Sequence, residues 1–300
     1  MEDFKQIAII APTASGKTGL SIEIAKETNS IILSLDSLSV YKEIDISSAK
    51  PTLKERDGIK HFGIDEVYPD QDFDVMEFIS CYKKAKEFAI ENKQNLIIVG
   101  GSGFYLKAMI DGLSPSITPS KETNIWVNDI LKDLPKAYRF LEEIDNTYAK
   151  NIKSNDKYRI ERALTIYKQS SLSPSEFFKQ NPKQKIIEDI DIFEIIWDTD
   201  KLRDRIALRT KLMLDEGIID EVIYLEKKYT REPKAMASIG IVETLDYLDS
   251  KISKKELEEK IFTNTARLAK KQRTFNRSQF QNQTKNTLDK LKEDILRTFK

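Results

Sequence analysis

The densest chemistry in the chain lies in one short stretch, Ala11-Pro12-Thr13-Ala14-Ser15-Gly16-Lys17-Thr18. Successive backbone N–H groups of such a loop, together with the N-terminus of a following helix, converge on a phosphate. Lys17 adds a point charge, and the Thr18 hydroxyl can reach a Mg²⁺ ion. The context this chemistry needs is present. An apolar run at 7–10 reads as a buried strand, Leu20, Ile22, Ile24 and Ala25 keep helical spacing behind the loop, and 30–35 reads as a second strand. The stretch is therefore a βαβ unit with a P-loop at its turn, in which Ala11 stands where the first glycine is usual. It predicts a site for a phosphorylated ligand.

Asp36-Ser37-Leu38-Ser39 follows the second strand. A carboxylate and hydroxyls at the carboxyl end of a parallel strand sit beside the phosphate loop, where open α/β sheets bind ligands. Asp36 is thus either a base or metal-shell residue or a helix cap, a role Asp also favours. A third apolar strand at 95–99 ends in Gly100-Gly101-Ser102-Gly103, either a tight turn or a place where backbone approaches a ligand. Between them, 45–74 is loop-rich and polar; Lys50 reads as an exposed loop lysine or a functional cation, and His61 as a satisfied histidine.

Further along the chain, a helix is expected at 75–92. Pro115, Pro119 and several Ser and Thr residues mark a boundary near 112–120, followed to about 185 by helical, charged and aromatic sequence. There Asp156, Arg159 and Arg162 share a helix face that either meets phosphates or is simply solvated. A strand-like run at 190–197 then returns, so the expected architecture is α/β. A P-loop core with a parallel sheet covers 1–115 and 188–300, and a helical insertion covers 116–187. Helices are expected at 201–216, 218–229, 238–248 and 254–277, with a polar, frayed tail from Gln279. The interval from Arg267 to Lys285 holds six basic residues and no acidic one, with Phe275 among them, a mixture suited to a nucleic-acid backbone and an unstacked base.

Composition narrows the chemistry further. One histidine and one cysteine, Cys81, leave no room for histidine triads, multi-cysteine zinc sites or internal disulfides, so catalysis must use carboxylates, Lys, Arg, hydroxyls and Mg²⁺. The 49 basic residues balance the 49 acidic ones, so distribution rather than net charge must decide whether nucleic acid binds. No run of eighteen apolar residues occurs, and the acidic opening MEDFKQ runs straight into a strand; a cytoplasmic protein without membrane partner or signal peptide is expected.

The ordered set APTASGKT, DSLSVY with DISSAKPT, VGGSGFYLKAMIDGL, NDKYRIERAL, SIGIVET and TARLAKKQRTFNR resembles the bacterial tRNA dimethylallyltransferase family over nearly the whole chain. The resemblance implies transfer of a dimethylallyl group from dimethylallyl diphosphate to N6 of the adenosine next to the anticodon, in tRNAs reading codons that begin with U, by a monomer using Mg²⁺. It implies that 11–18 cradle the diphosphate and that Asp36 accepts the N6 proton, while Ser102 takes the place of a family threonine near the reacting group. Contacts with tRNA would come from Asp36, Ser37, Leu38, Ser39 and Ser102, from Asn124, Arg159, Ile160, Glu161, Arg162 and Ala163, and from Lys270, Lys271, Gln272 and Arg273. Several departures stand out: Asn124 lies near a common arginine, Ser47-Ser48 replace Gly-Thr, Ile241 and Val242 replace an aromatic and a basic residue, and Phe275 replaces a frequent tryptophan. Two other activities share the loop: a P-loop kinase for a small metabolite, and a prenyltransferase acting on free adenine nucleotide.

Overall fold

The structure, a computed structural model, describes residues 4–115 and 117–299. The chain forms two compact units, one of residues 1–108 and 188–300 and the other of residues 109–187.

In the first unit the strands are β1 (Gln6–Ile10), β2 (Ser30–Leu35), β3 (His61–Phe62), β4 (Asn95–Gly100), β5 (Asp191–Ile195) and β6 (Thr284–Asn286). They pair in the order β3-β2-β4-β1-β5-β6, every pair parallel. Strands covered on both faces read as unbroken apolar runs. That is the state of β1, whose Ile7, Ala8, Ile9 and Ile10 are all buried. Parallel pairing also brings the loops leaving β1, β2 and β4 to one edge of the sheet, so the P-loop, Asp36 and the Gly100-Gly101-Ser102-Gly103 turn emerge together. Gly100 allows this closeness, because a Cβ there would lie 2.1 Å from the Leu35 carbonyl oxygen.

The helices are α1 (Lys17–Glu27), α2 (Leu53–Arg56), α3 (Val75–Glu91), α4 (Gly103–Asp111), α5 (Lys121–Ile130), α6 (Leu134–Ile144), α7 (Asn146–Ala149), α8 (Lys157–Ser170), α9 (Pro174–Gln180), α10 (Thr199–Asp215), α11 (Ile218–Tyr229), α12 (Ile241–Leu248), α13 (Lys254–Gln279) and α14 (Leu288–Thr298). One core joins the sheet to α1 and α14, with Ile9, Leu20, Ile24, Ile97, Leu291 and Ile295 all buried. A second core gathers Val40, Tyr41 and Ile44 with α11, α12 and the start of α13. The other unit has its own core, built from Val127, Leu131, Ala137, Leu141, Ala149, Ile160, Ala163 and Leu164.

Two expectations are corrected. The tail from Gln279 is not frayed: Phe193 to Ile195 of β5 pair with Thr284 to Asn286, and Leu291 and Ile295 of α14 are fully buried beside α1. The strand is too short and polar to register as a pattern, and the helix is held by its apolar stripe together with Lys292, which pairs with Glu23 at 3.1 Å and Glu27 at 2.9 Å on α1. Nor is Lys50 exposed. Its side chain, 5% accessible, pairs with Asp65, with Asp45 at 2.6 Å and with the Tyr41 carbonyl at 3.0 Å, and Arg56 joins Asp65 at 3.1 Å. This cluster pins the 45–50 turn to the 61–67 segment.

Candidate active site

The P-loop turns sharply through two left-handed residues, Ala14 at φ 61° and Gly16 at φ 84°. A side chain is tolerated at the first at a cost of about 1–2 kcal/mol, but at Gly16 a Cβ would also meet Leu288 at 2.8 Å. Ala11 keeps a negative φ and donates its N–H to the Gly100 carbonyl at 3.3 Å, so alanine fits where glycine is usual.

Beneath the loop lies a cavity of about 60 Å³ lined by Thr13, Lys17, Thr18, Asp36, Ser39, Ser48, His61 and Arg209, among others. Burial pulls the Lys17 ammonium down to about 8; the Asp36 carboxylate opposes that fall and the Arg209 guanidinium adds to it. Burial likewise lowers Arg209, against the pull of Asp36. Asp36 does act as a cap, its Oδ1 accepting the N–H groups of Leu38 at 2.8 Å and Ser39 at 3.2 Å. The same residue lines the cavity, so the two readings of Asp36 are compatible: the cap hydrogen bonds use Oδ1. His61 lines the far wall with Nδ1 2.8 Å from the Ile59 carbonyl, and burial holds it below the ordinary histidine range.

The loop is braced from outside by side chains distant in sequence, from α10, α13 and the segment between β5 and α10. Gln272 Oε1 accepts the Thr13 N–H at 2.9 Å, Arg205 Nε donates to the Ala14 carbonyl at 2.7 Å, and Trp197 Nε1 donates to the Ser15 carbonyl at 2.9 Å. Arg209 Nη1 donates to Thr13 Oγ1 at 2.7 Å. Ser15 Oγ is buried with no partner among the described residues. A hydroxyl left this way at the head of a helix fits an incoming anionic oxygen.

Behind α13 a wider groove of about 750 Å³ runs from Pro12 along β5 and α10. Among the described residues, Arg203, Arg267, Lys270, Arg273, Arg277 and Lys285 line it together with a single carboxylate, Glu194, and apolar walls that include Ile195 and Trp197. Glu194 is buried and pairs with Lys285 at 3.5 Å. Arg273 and Arg267 are held by neutral groups instead, Thr199 at 3.0 Å and Asn264 at 3.1 Å, which fixes their position without neutralising them.

Residues 39–279 match the family model described as IPP transferase. A tRNA dimethylallyltransferase of Aliarcobacter butzleri is 59% identical over 295 residues, covering 98% of this chain and 99% of the relative. One from Sulfurimonas denitrificans is 56% identical over 98% and 99% of the two chains. The crystal structure of a full-length tRNA isopentenylpyrophosphate transferase from Bacillus halodurans superposes with TM-score 0.73 at 30% identity, covering 99% of this chain and 95% of that one. A eukaryotic dimethylallyltransferase acting on tRNA superposes with TM-score 0.80 at 26% identity, over 91% and 70%. The chain belongs to the tRNA dimethylallyltransferase family.

Set against the positions that family resemblance singled out, the structure groups Thr13, Lys17, Thr18, Asp36 and Ser39 around one cavity. Ser102 is half-buried at the start of α4, its N–H donating to the Leu35 carbonyl at 3.1 Å, and is not among the residues lining that cavity. Ser37 is exposed, whereas the Leu38 side chain packs against the second core. On α8, Arg159, Glu161 and Arg162 are exposed, as is Asn124 on α5. Asp156 caps α8 through the Arg159 N–H at 3.1 Å. Ile160 and Ala163 are a correction: both are fully buried in the helical core, so their side chains cannot meet a ligand. Lys270 and Arg273 line the basic groove, Lys271 is exposed outside it, and Gln272 faces the P-loop. The departures at Ile241 and Val242 differ in kind, the first fully buried and the second 41% exposed.

Arg209 is a site residue that no motif marks. Its signal is nonetheless in the sequence: Leu202, Ile206, Thr210 and Met213 form the buried stripe of α10, and Arg209 sits beside that stripe, three residues after Ile206. A cation intruding on an apolar stripe calls for an anion.

Proposed function

We infer that the chain transfers a dimethylallyl group from dimethylallyl diphosphate to the N6 amino group of an adenosine in tRNA, releasing diphosphate. The observation that carries this reading is the convergence of Lys17, Thr18, Asp36 and Arg209 on one cavity at the P-loop, in a chain of this family. The diphosphate lies against the loop N–H groups. As the bond between C1 of the allylic chain and the diphosphate oxygen breaks, its electron pair leaves with the diphosphate. Lys17 and Arg209 meet the charge that accumulates there, the kind of preorganised stabilisation that matters most in group transfer. N6 forms the new bond to C1 and gives its proton to the Asp36 carboxylate, which sharpens a weak nucleophile.

A Mg²⁺ ion held through one hydroxyl and substrate phosphates needs no cage of carboxylates, and Thr18 beside Asp36 suits that arrangement. Bound there it would supply further charge opposite the leaving diphosphate. The cation-lined groove behind α13 is the surface we assign to the tRNA backbone, with exposed Arg159 and Arg162 as a further contact. An enzyme acting on a base takes it out of the stack, so the adenosine enters unstacked.

The test is incubation with unmodified tRNA, Mg²⁺ and labelled dimethylallyl diphosphate, with ATP and AMP as competing substrates. Prenylated adenosine recovered from digested tRNA is the expected product. Label in AMP instead would move the activity to a free nucleotide, and phosphate transfer from ATP without prenylation would make the chain a kinase.

A further inference from the structure

The turn at 44–50 forms one wall of the cavity through Ser48 and Ala49, yet the residue that shapes it lies outside the cavity. Three successive backbone N–H groups converge on the Glu221 carboxylate: Asp45 and Ile46 donate to Oε2 at 2.7 and 2.6 Å, and Ser47 donates to Oε1 at 2.8 Å. Ser47 Oγ donates to Oε1 as well, at 2.7 Å. Consecutive N–H groups arranged like this make an anion-binding nest of the sort proteins use for phosphate. Here the anion is the chain's own carboxylate, projecting from the first turn of α11, where the helix end favours negative charge.

The consequence travels further along the turn. Ser48 closes it through Oγ, which donates to the Ile44 carbonyl at 2.5 Å, and its own carbonyl accepts Arg209 Nη2 at 3.4 Å. The other arm of Arg209 donates to Thr13 of the P-loop at 2.7 Å. Glu221 thereby sets the turn, the turn supplies one of the two anchors of Arg209, and Arg209 faces the cavity. The same helix grips the approach to the turn, since Lys228 Nζ and the Tyr229 hydroxyl both donate to Glu43, at 2.7 Å each. Glu221, Lys228 and Tyr229 are spaced to share one face of α11, so the helix splints this wall along its length.

We propose that Glu221 is a positioning residue for the donor diphosphate, acting through the 45–48 turn on Arg209 without touching the ligand. The proposal rests on the reading of the cavity as the diphosphate site. Glu221→Gln keeps the shape but turns an NH₂ group toward backbone donors, so at least one hydrogen bond becomes a clash of donors and the charge assistance is lost. The expected result is a rise of about tenfold or more in KM for dimethylallyl diphosphate and in Kd for inorganic diphosphate with Mg²⁺, by analogy with losing one charge-assisted hydrogen bond. KM for tRNA should stay within about twofold, because the basic groove of α13 is untouched.

The decisive measurement is a double-mutant cycle read by calorimetry with inorganic diphosphate. In an Arg209→Ala background the effect of Glu221→Gln should shrink to about threefold or less, since residues acting as one unit are not additive. Full multiplication of the two effects would overturn the proposal, as would an equal rise in KM for tRNA and donor, the mark of a merely structural role. Should Glu221→Gln not fold, Ser47→Ala removes one of the four hydrogen bonds. A diphosphate Kd raised about two- to fivefold and coupled to Arg209 supports the proposal, and an unchanged Kd refutes it. Wild type that binds diphosphate but prenylates no tRNA would leave this cycle measurable while refuting the transfer reading. Wild type that binds no diphosphate would refute both.

Discussion

If Lys17 meets the donor diphosphate as proposed, an ammonium pulled down to about 8 should make donor use sensitive to pH in an unusual place. The Lys17 ammonium is held at about 8 chiefly because burial disfavours its charge, with the Asp36 carboxylate restoring part and Arg209 removing more. Well below that value Lys17 carries a full positive charge, which on the proposed function meets the donor diphosphate; above it the charge is progressively lost. The profile of kcat/KM against pH reports groups of the free enzyme. With a pKa of about 8, the charged fraction falls from about ten-elevenths at pH 7 to about one-eleventh at pH 9, so kcat/KM for dimethylallyl diphosphate should drop about tenfold over that interval. The assay is steady-state transfer into an anticodon stem-loop at saturating RNA, with donor varied at each pH. Diphosphate binding by calorimetry should follow the same limb. Lys17→Arg keeps a charge throughout, because a guanidinium does not titrate here. Its absolute rate will be lower, but the alkaline limb near 8 should vanish. A wild-type profile that stays flat to pH 9, or a limb that persists in Lys17→Arg, would refute the assignment of this charge to the donor.

Asp36→Asn should leave the fold intact, since an asparagine oxygen can accept the Leu38 and Ser39 N–H groups as Oδ1 does; single-turnover transfer should nevertheless fall about 10²- to 10⁴-fold with tRNA affinity little changed. Survival of chemistry with collapse of binding would make Asp36 a cap only. Because Lys285 is committed to Glu194, five cations of the α13 groove are left for phosphates, and through these alone tRNA affinity should fall roughly 100-fold between about 50 and 200 mM salt. Replacing Lys270, Lys271 and Arg273 with alanine should flatten that slope by about two to three contacts' worth; equal slopes in filter binding would place the RNA elsewhere. Finally, Leu291→Ala should cost about 2–5 kcal/mol in urea denaturation, because its side chain is fully buried between α14 and α1. A loss under about 0.5 kcal/mol would mean the C-terminal helix contributes nothing to the core.

Local pattern determines a great deal of this protein. The 7–10 run, the loop with Gly16, Lys17 and Thr18 and the helical spacing behind it specify a βαβ unit by themselves, because strand burial, turn conformation and helix amphipathicity are each set by near neighbours. Residues 218–229 are delimited as a helix for the same reason, and the ordered motifs carry the family. No local pattern could decide which distant residues meet the loop. Gln272 reads in sequence as one amide in a basic helix, yet it accepts the Thr13 N–H across 259 positions. Lys50 reads as a loop lysine and is a buried hub of carboxylates. Arg209 and Glu221 are single charges on charged helices, and only the packing of α10 and α11 against the P-loop and the 45–48 turn makes one a partner of the cavity and the other an anchor of its wall. The tail is illegible for a related reason: β6 is three polar residues long and exists because β5 offers it an open edge. Side-chain periodicity reports which face of an element is buried, but only the tertiary structure reports against what.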